Sequence, residues 1–289
     1  MNMDTPRFGF VILHYLVDSE TSQCIESIRR HCDGGNYAIV VVDNNSANGS
    51  YERLSKKYAH VGDVIFIHNE SNEGFARGNN IGYRYCVSEL HCDYVVTLNN
   101  DAMLGSDNLI EQSIADYQQR HCAVIGPDII SGKDGTHQNP MMRVVDTKQE
   151  VRAIRKHIRR NLLLLSLHMY DLVHRHAPEN AHVSGNDKTW QDPSVPVKLH
   201  GSCYIFTPAF IEHFSEPFDP GTFLYMEEDI LSLRCRRDAL TLYYDPRIVV
   251  RHAQNASSEA QVKYDARRKT INYLRNHRDS LRVLEQYLS

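Results

Sequence analysis

Tyr37–Ser46 reads YAIVVVDNNS, an unbroken apolar run that ends in one acid and two asparagines. A short apolar run closed by turn-forming residues is the signature of a strand buried on both faces. Three more segments in the first hundred residues read the same way: Phe8–Tyr15 (FGFVILHY), Val64–His68 (VIFIH) and Tyr94–Leu98 (YVVTL). Between them, Ser19–His31, Tyr51–Tyr58 and Ala76–Glu89 carry helical patterns. Alternation of this kind predicts an α/β fold, a mostly parallel Rossmann-like sheet with helices on both faces. In such sheets ligands sit beyond the carboxyl ends of the strands. Asp43 and the run Asn99–Asn100–Asp101 both fall at such ends.

The second half is less regular. Helices are expected over Asp107–Arg120, Glu227–Asp238 and Asp265–Leu288, and strands over Ala123–Ile130, Val197–Thr207 and Leu240–Val250. Val144–His176 predicts a long basic helical insertion, and Asn180–Pro196, rich in Asn, Asp, Ser and Pro, predicts a loop. With 289 residues and 42% hydrophobic content, one domain is expected, its nucleotide-binding half over about 1–130 and its acceptor-side half over about 131–289. The net charge of -4 gives no chain-wide basic excess for nucleic acid. Seven cysteines without a CxxC pair fit reduced thiols in a cytoplasmic protein. No signal peptide or membrane-spanning run is read.

Five polar groups could carry chemistry. Asp43 is either a turn residue or a carboxylate facing a ribose or base edge. Asn72–Tyr83 (NEGFARGNNIGY) places Gly74 and Gly78 at a helix entry, where backbone N–H groups can meet an anion or merely form a turn. Leu98–Ala102 (LNNDA) offers Asp101 as an oxygen ligand for a hard divalent cation; the alternative is a polar loop after a buried strand. Phe223–Arg236 (FLYMEEDILSLRCR) sets Glu227, Glu228 and Asp229 at a helix start. There they suit the helix dipole, and one of them could be a general base. His252 ends another apolar strand and could join Asp101 at a metal.

Taken in order, these motifs resemble the family-2 glycosyltransferases of GT-A fold, especially bacterial rhamnosyltransferase-like members, over Phe8 to about Asn276. The resemblance implies an inverting, metal-dependent transfer of a sugar from a UDP- or dTDP-sugar to a glycan or lipid-linked glycan in surface polysaccharide assembly. It implies that Asp43, Asn45, Gly74, Arg77, Gly78, Asn80, Asn99, Asn100 and Arg275 line the nucleotide-sugar. Asp101 and His252 would hold Mg²⁺ or Mn²⁺, and Gly201, Ser202 and Tyr225 would lie on the acceptor side. Matching Tyr225 and Arg234 to the family pattern puts Glu228 at the base position, which is usually aspartate. Asp229, adjacent, is the close alternative for the base, and Glu227 completes the cluster. A sugar-nucleotide pyrophosphorylase and a non-catalytic sugar-nucleotide-binding partner are the competing readings. The pyrophosphorylase would need a Gly-rich N-terminal phosphate loop, and HYLVDSE stands there instead. Finally, the basic segment 146–176 reads either as a helix packed on the domain with a solvated basic side, or as a peripheral contact with the inner face of a membrane.

Overall fold

A computed structural model describes residues 5–170, 189–254 and 266–288. Its centre is an eight-stranded sheet of order β3-β2-β1-β4-β7-β6-β8-β5. The strands are β1 (Phe8–His14), β2 (Tyr37–Asp43), β3 (Val64–His68), β4 (Tyr94–Asn99), β5 (Ala102–Leu104), β6 (Val124–Ser131), β7 (Cys203–Phe206) and β8 (Leu242–His252). β1 pairs in parallel with β2 and β4, and β2 with β3. β7 lies antiparallel to both β4 and β6, β6 runs parallel to β8, and β5 opposes β8. The sheet is therefore mixed: β5 and β7 run against the other six strands.

The helices are α1 (Asp18–His31), α2 (Ser50–Lys57), α3 (Gly74–Ser88), α4 (Leu109–Arg120), α5 (Lys148–Ser166), α6 (Pro208–His213), α7 (Glu227–Arg237) and α8 (Ala266–Leu284). Strand alternation divides their packing between the two faces. Phe8, Phe10 and Ile12 of β1 meet α1, α2 and α4, while Val11 turns to the face covered by α3, α6 and α7. A third apolar cluster lies between helices: Val151, Ile158 and Leu165 of α5 pack with Ile230 and Leu233 of α7 and with Leu274, Leu281 and Leu284 of α8.

Two expectations need correction, and two short elements are additional. Only Cys203–Phe206 of the segment Val197–Thr207 is strand, because Gly201 and Ser202 turn the chain into β7. The basic helix is shorter than its periodicity, spanning Lys148–Ser166; residues 171–176 of the expected helix and 180–188 of the expected loop lie outside the described residues. The short strand β5 and the short helix α6 were not anticipated, since three and six residues carry too little periodicity to read. All seven cysteines are free and buried. Among the described residues no helix is long and apolar enough to cross a membrane.

Candidate functional site

The carboxyl ends of β1, β2 and β3 build one corner of the site. Asp43 is fully buried there. Its carboxylate accepts from the Ser46 backbone N–H at 3.2 and 3.3 Å, and His68 Nδ1 lies 2.7 Å from Oδ2. His14, also buried, has Nε2 3.8 Å from Asp43 Oδ1 and bonds Thr21 and Ser50 through its two ring nitrogens. Burial lowers the pKa of His14, which favours its neutral form. Tyr51 packs on the His68 ring with centroids 4.6 Å apart, giving this corner an aromatic wall. The following asparagines divide their work. Asn44 knots the 69–74 loop, accepting from Glu73 N and donating to Gly74 O, whereas Asn45 is exposed and bonds Glu70 O.

The helix-entry glycines are explained largely by packing. Gly74 has φ +76°, and a Cβ there would lie 2.4 Å from Phe223 O. A Cβ on Gly78 would meet Leu13 at 2.4 Å. Asn80 uses its side chain on the chain itself, donating to Phe218 O at 2.8 Å and accepting from Phe218 N at 3.1 Å. The Arg77 guanidinium bonds Pro220 O at 2.8 Å. α3 thereby clamps the 216–223 segment that leads into α7.

At the next corner, Asp101 Oδ1 and His252 Nε2 are 3.3 Å apart, brought together by β5–β8 pairing and by the Ala253 N–H bond to Asp101 O. His252 Nδ1 lies 3.0 Å from Gln138 Oε1. If Nδ1 donates that bond, the neutral ring turns an Nε2 lone pair toward a carboxylate oxygen. Two electron-rich atoms at this distance call for a proton or a cation between them. Adjacent ligands of a small octahedral cation stand roughly 3 Å apart, so the pair fits two places of one shell. Among the described residues no group of three or more His, Cys, Asp or Glu side chains is gathered for a metal. Asn99 donates its backbone N–H to Ser202 O at 2.9 Å, and Asn100 donates to Thr21, which also bonds His14.

The three acids that open α7 have separate surroundings. Two successive left-handed residues, Tyr225 (φ 76°) and Met226 (φ 70°), aim this turn, a costly conformation kept by its packing. The Tyr225 ring sits 4.9 Å from Tyr273 and 5.9 Å from His277 of α8. Glu227 is buried, one carboxyl oxygen has no hydrogen-bond partner, and desolvation pushes its pKa up to about 8. Asp229 is buried against Lys198, with Nζ 3.0 and 3.1 Å from its oxygens, and accepts from Val145 N at 2.7 Å. Glu228 accepts the Gly201 N–H at 2.8 Å. Gly201 stands next to Ser202, which meets Asn99, and next to His200, whose ring lies 5.6 Å from that of His252.

The segment 200–202 thus joins Glu228 to the Asp101–His252 pair. The anticipated residues Asp43, Asn99, Asn100, Asp101, Gly201, Ser202, Glu228 and His252 gather along the carboxyl edge, whereas Arg275 is exposed on α8, on the helix side away from Tyr273 and His277. Sequence reasoning missed His14, His68, His200, Lys198 and Gln138. His14 and His68 end apolar strands beside Asp43 in register, a signal that could have been read. Gln138 lies in a loop without periodicity and left no such trace.

Residues 10–174 match the family described as Glycosyl transferase family 2. The "Low-salt glycan biosynthesis hexosyltransferase Agl10" of Haloferax volcanii is 32% identical over 93 residues, which is 32% of this chain and 28% of that protein. Among solved structures, GalNAc-T7 with UDP, GalNAc and Mn²⁺ superposes with TM-score 0.59 at 16% identity, over 92% of this chain and 50% of that one. Staphylococcus aureus TarS 1–349 with UDP-GlcNAc gives TM-score 0.54 at 12% identity, over 98% and 70%. These likenesses show the GT-A fold. The chain spans well under a third of the curated relative and half of the first structural neighbour.

Proposed function

Since the chain belongs to glycosyl transferase family 2, we propose that it moves a hexosyl group from a nucleoside diphosphate sugar to a hydroxyl of a glycan or lipid-linked glycan, with inversion at the anomeric carbon. The observation that carries this reading is the 200–202 bridge, with Glu228 bonded at Gly201 and the Asp101–His252 pair beside His200. That short turn sets an acidic acceptor of protons on one side and a site for the diphosphate on the other, so one bound sugar nucleotide and its acceptor can reach both.

The Asp43 corner, with His68 and Tyr51, binds the nucleoside. The UDP present in the structural neighbours supports a uridine donor over a deoxythymidine one. Asp101 and His252 would hold Mg²⁺ or Mn²⁺, which supplies charge neutralisation of the departing diphosphate. Glu228 takes the acceptor proton. The acceptor oxygen bonds the anomeric carbon as the bond from that carbon to the diphosphate oxygen breaks. The nucleoside diphosphate leaves with the electron pair, through an oxocarbenium-like transition state. Glu228 is the preferred base because Asp229 is already committed to Lys198 and Val145. Glu227, held neutral by burial at pH 7, adds no second negative charge beside it. The role extends to bacterial surface polysaccharide assembly on the inner side of the membrane; a hexosyltransferase of glycan biosynthesis among its relatives supports the hexosyl assignment.

The test is a screen of UDP- and dTDP-sugars for hydrolysis or transfer with and without Mn²⁺ or Mg²⁺. Metal-stimulated turnover of a sugar nucleotide that falls by orders of magnitude in Asp101→Ala is expected. Equal turnover in that variant removes the metal assignment, and no turnover of any donor removes the enzyme reading.

A further inference from the structure

The outward face of α5 has no part in this site. Its inner side is fixed by Val151, Ile158 and Leu165 against α7 and α8. Arg152, Lys156, Arg159, Arg160 and Leu163 are all exposed. Their three- and four-residue spacing lines them along one stripe, which Leu167 continues past the helix end. Leu163 and Leu167 are 58% and 57% exposed, and Met169 just beyond is 45% exposed. The helix contains one acid, Glu150, which is drawn to Arg143 at 2.8 Å. Arg155 lies off the stripe and pairs with Glu285 at 2.7 Å. Among the described residues Arg152, Lys156 and Arg159 face no carboxylate. At the apolar end, Arg267 of α8 donates to Leu165 O at 2.7 Å, which sets the start of α8 beside the end of α5.

A solvated basic face explains the cations but not the leucines continuous with them. A soluble polyanion has the same shortcoming. Cations concentrated on one side of a chain whose net charge is -4, with exposed leucines and a methionine at one end of the same stripe, match a helix lying in the plane of an anionic bilayer. We propose that α5, with the start of α8, seats the protein on an anionic membrane surface. Arg152, Lys156, Arg159 and Arg160 meet lipid phosphates, and Leu163, Leu167 and Met169 enter the acyl boundary. Since α5 packs on the helix that carries Glu228 in its first turn, the seat would hold the transfer site close to the membrane surface. The binding itself is independent of the transferase reading.

Sedimentation of the full chain with phosphatidylcholine vesicles, with and without phosphatidylglycerol, tests this in the absence of any donor. Binding is expected only with phosphatidylglycerol at low salt, and it should fall as salt screens the cations. Arg152→Glu with Lys156→Glu should weaken partitioning by roughly fivefold or more for each cation removed. Leu163→Ser with Leu167→Ser should weaken it by at least about tenfold, with circular dichroism and Tm unchanged in both variants. No binding to anionic vesicles at low salt overturns the proposal. So does wild-type binding by the leucine variant, which would leave the stripe a surface for soluble anions.

Discussion

Two carboxylates stand at the same edge of the sheet and are treated in opposite ways. Asp43 is sealed from solvent and surrounded by the Ser46 N–H, His68 and His14. Glu228 is half-buried and has one backbone donor, the Gly201 N–H, on one oxygen. A carboxylate whose acceptor sites are filled is a fixed part of the frame; one with acceptor sites left can take a proton from an incoming hydroxyl. On this contrast rests the proposal that the first corner recognises the nucleoside and the second transfers the proton.

The strongest way to break that contrast is to neutralise each acid in turn. Glu228→Gln should lower kcat by about 10²–10⁴ with donor affinity unchanged by calorimetry; a kcat near wild type would move the base elsewhere. Within the Glu228 cluster, Glu227 should dominate the pH dependence of stability. Its folded pKa, about 8, lies above the ordinary value of 4.5, so the folded state binds the extra proton. Its contribution is complete below about pH 4.5 and is lost as pH rises to about 8, on the order of 4 kcal/mol in total. Denaturant melts at pH 5 and 8.5 should show a steeper loss for wild type than for Glu227→Gln, and parallel profiles would contradict the assignment.

Asp229→Asn should destabilise by roughly 3 kcal/mol, because it strands the Lys198 ammonium, and a lowered denaturant midpoint would report it. If Asp229 were the base, activity would fall further than the folded fraction. Asp43→Asn should cost about 2 kcal/mol of stability and raise the donor KM with kcat little changed. A kcat collapse there would erase the division between the corners. Gln138→Leu, which frees the His252 ring, should weaken Mn²⁺ binding by about 10–100-fold, read by calorimetry in the absence of donor.

The first half of the fold was legible because each of its strands is a single apolar run and the helices between them keep a clear period. The register of β1–β4 follows, and with it the positions of Asp43 and Asn99–Asp101. In the second half the decisive pairings join residues far apart in sequence. Lys198 reaching Asp229, Gln138 reaching His252 and Gly201 reaching Glu228 are set by how loops fold back on the sheet, and no local period encodes that. Composition could group Glu227, Glu228 and Asp229, but only burial and partners separate a neutral acid, a half-satisfied carboxylate and an ion pair. The glycines of Asn72–Tyr83 were visible, yet the bulk that excludes a side chain at Gly78 comes from Leu13, on another strand.

The reversal of β7 has a further consequence. Six strands end at the functional edge and present their last residues to it, but β7 enters the sheet there, so that edge also receives the beginning of a strand. The Gly201 amide that reaches Glu228 belongs to this incoming turn. Had the strand run with its neighbours, the same three residues would lie at the opposite rim, some 15 Å away by roughly the length of four or five extended residues. The polarity of one short strand thus governs whether the two halves of the chemistry can share a substrate.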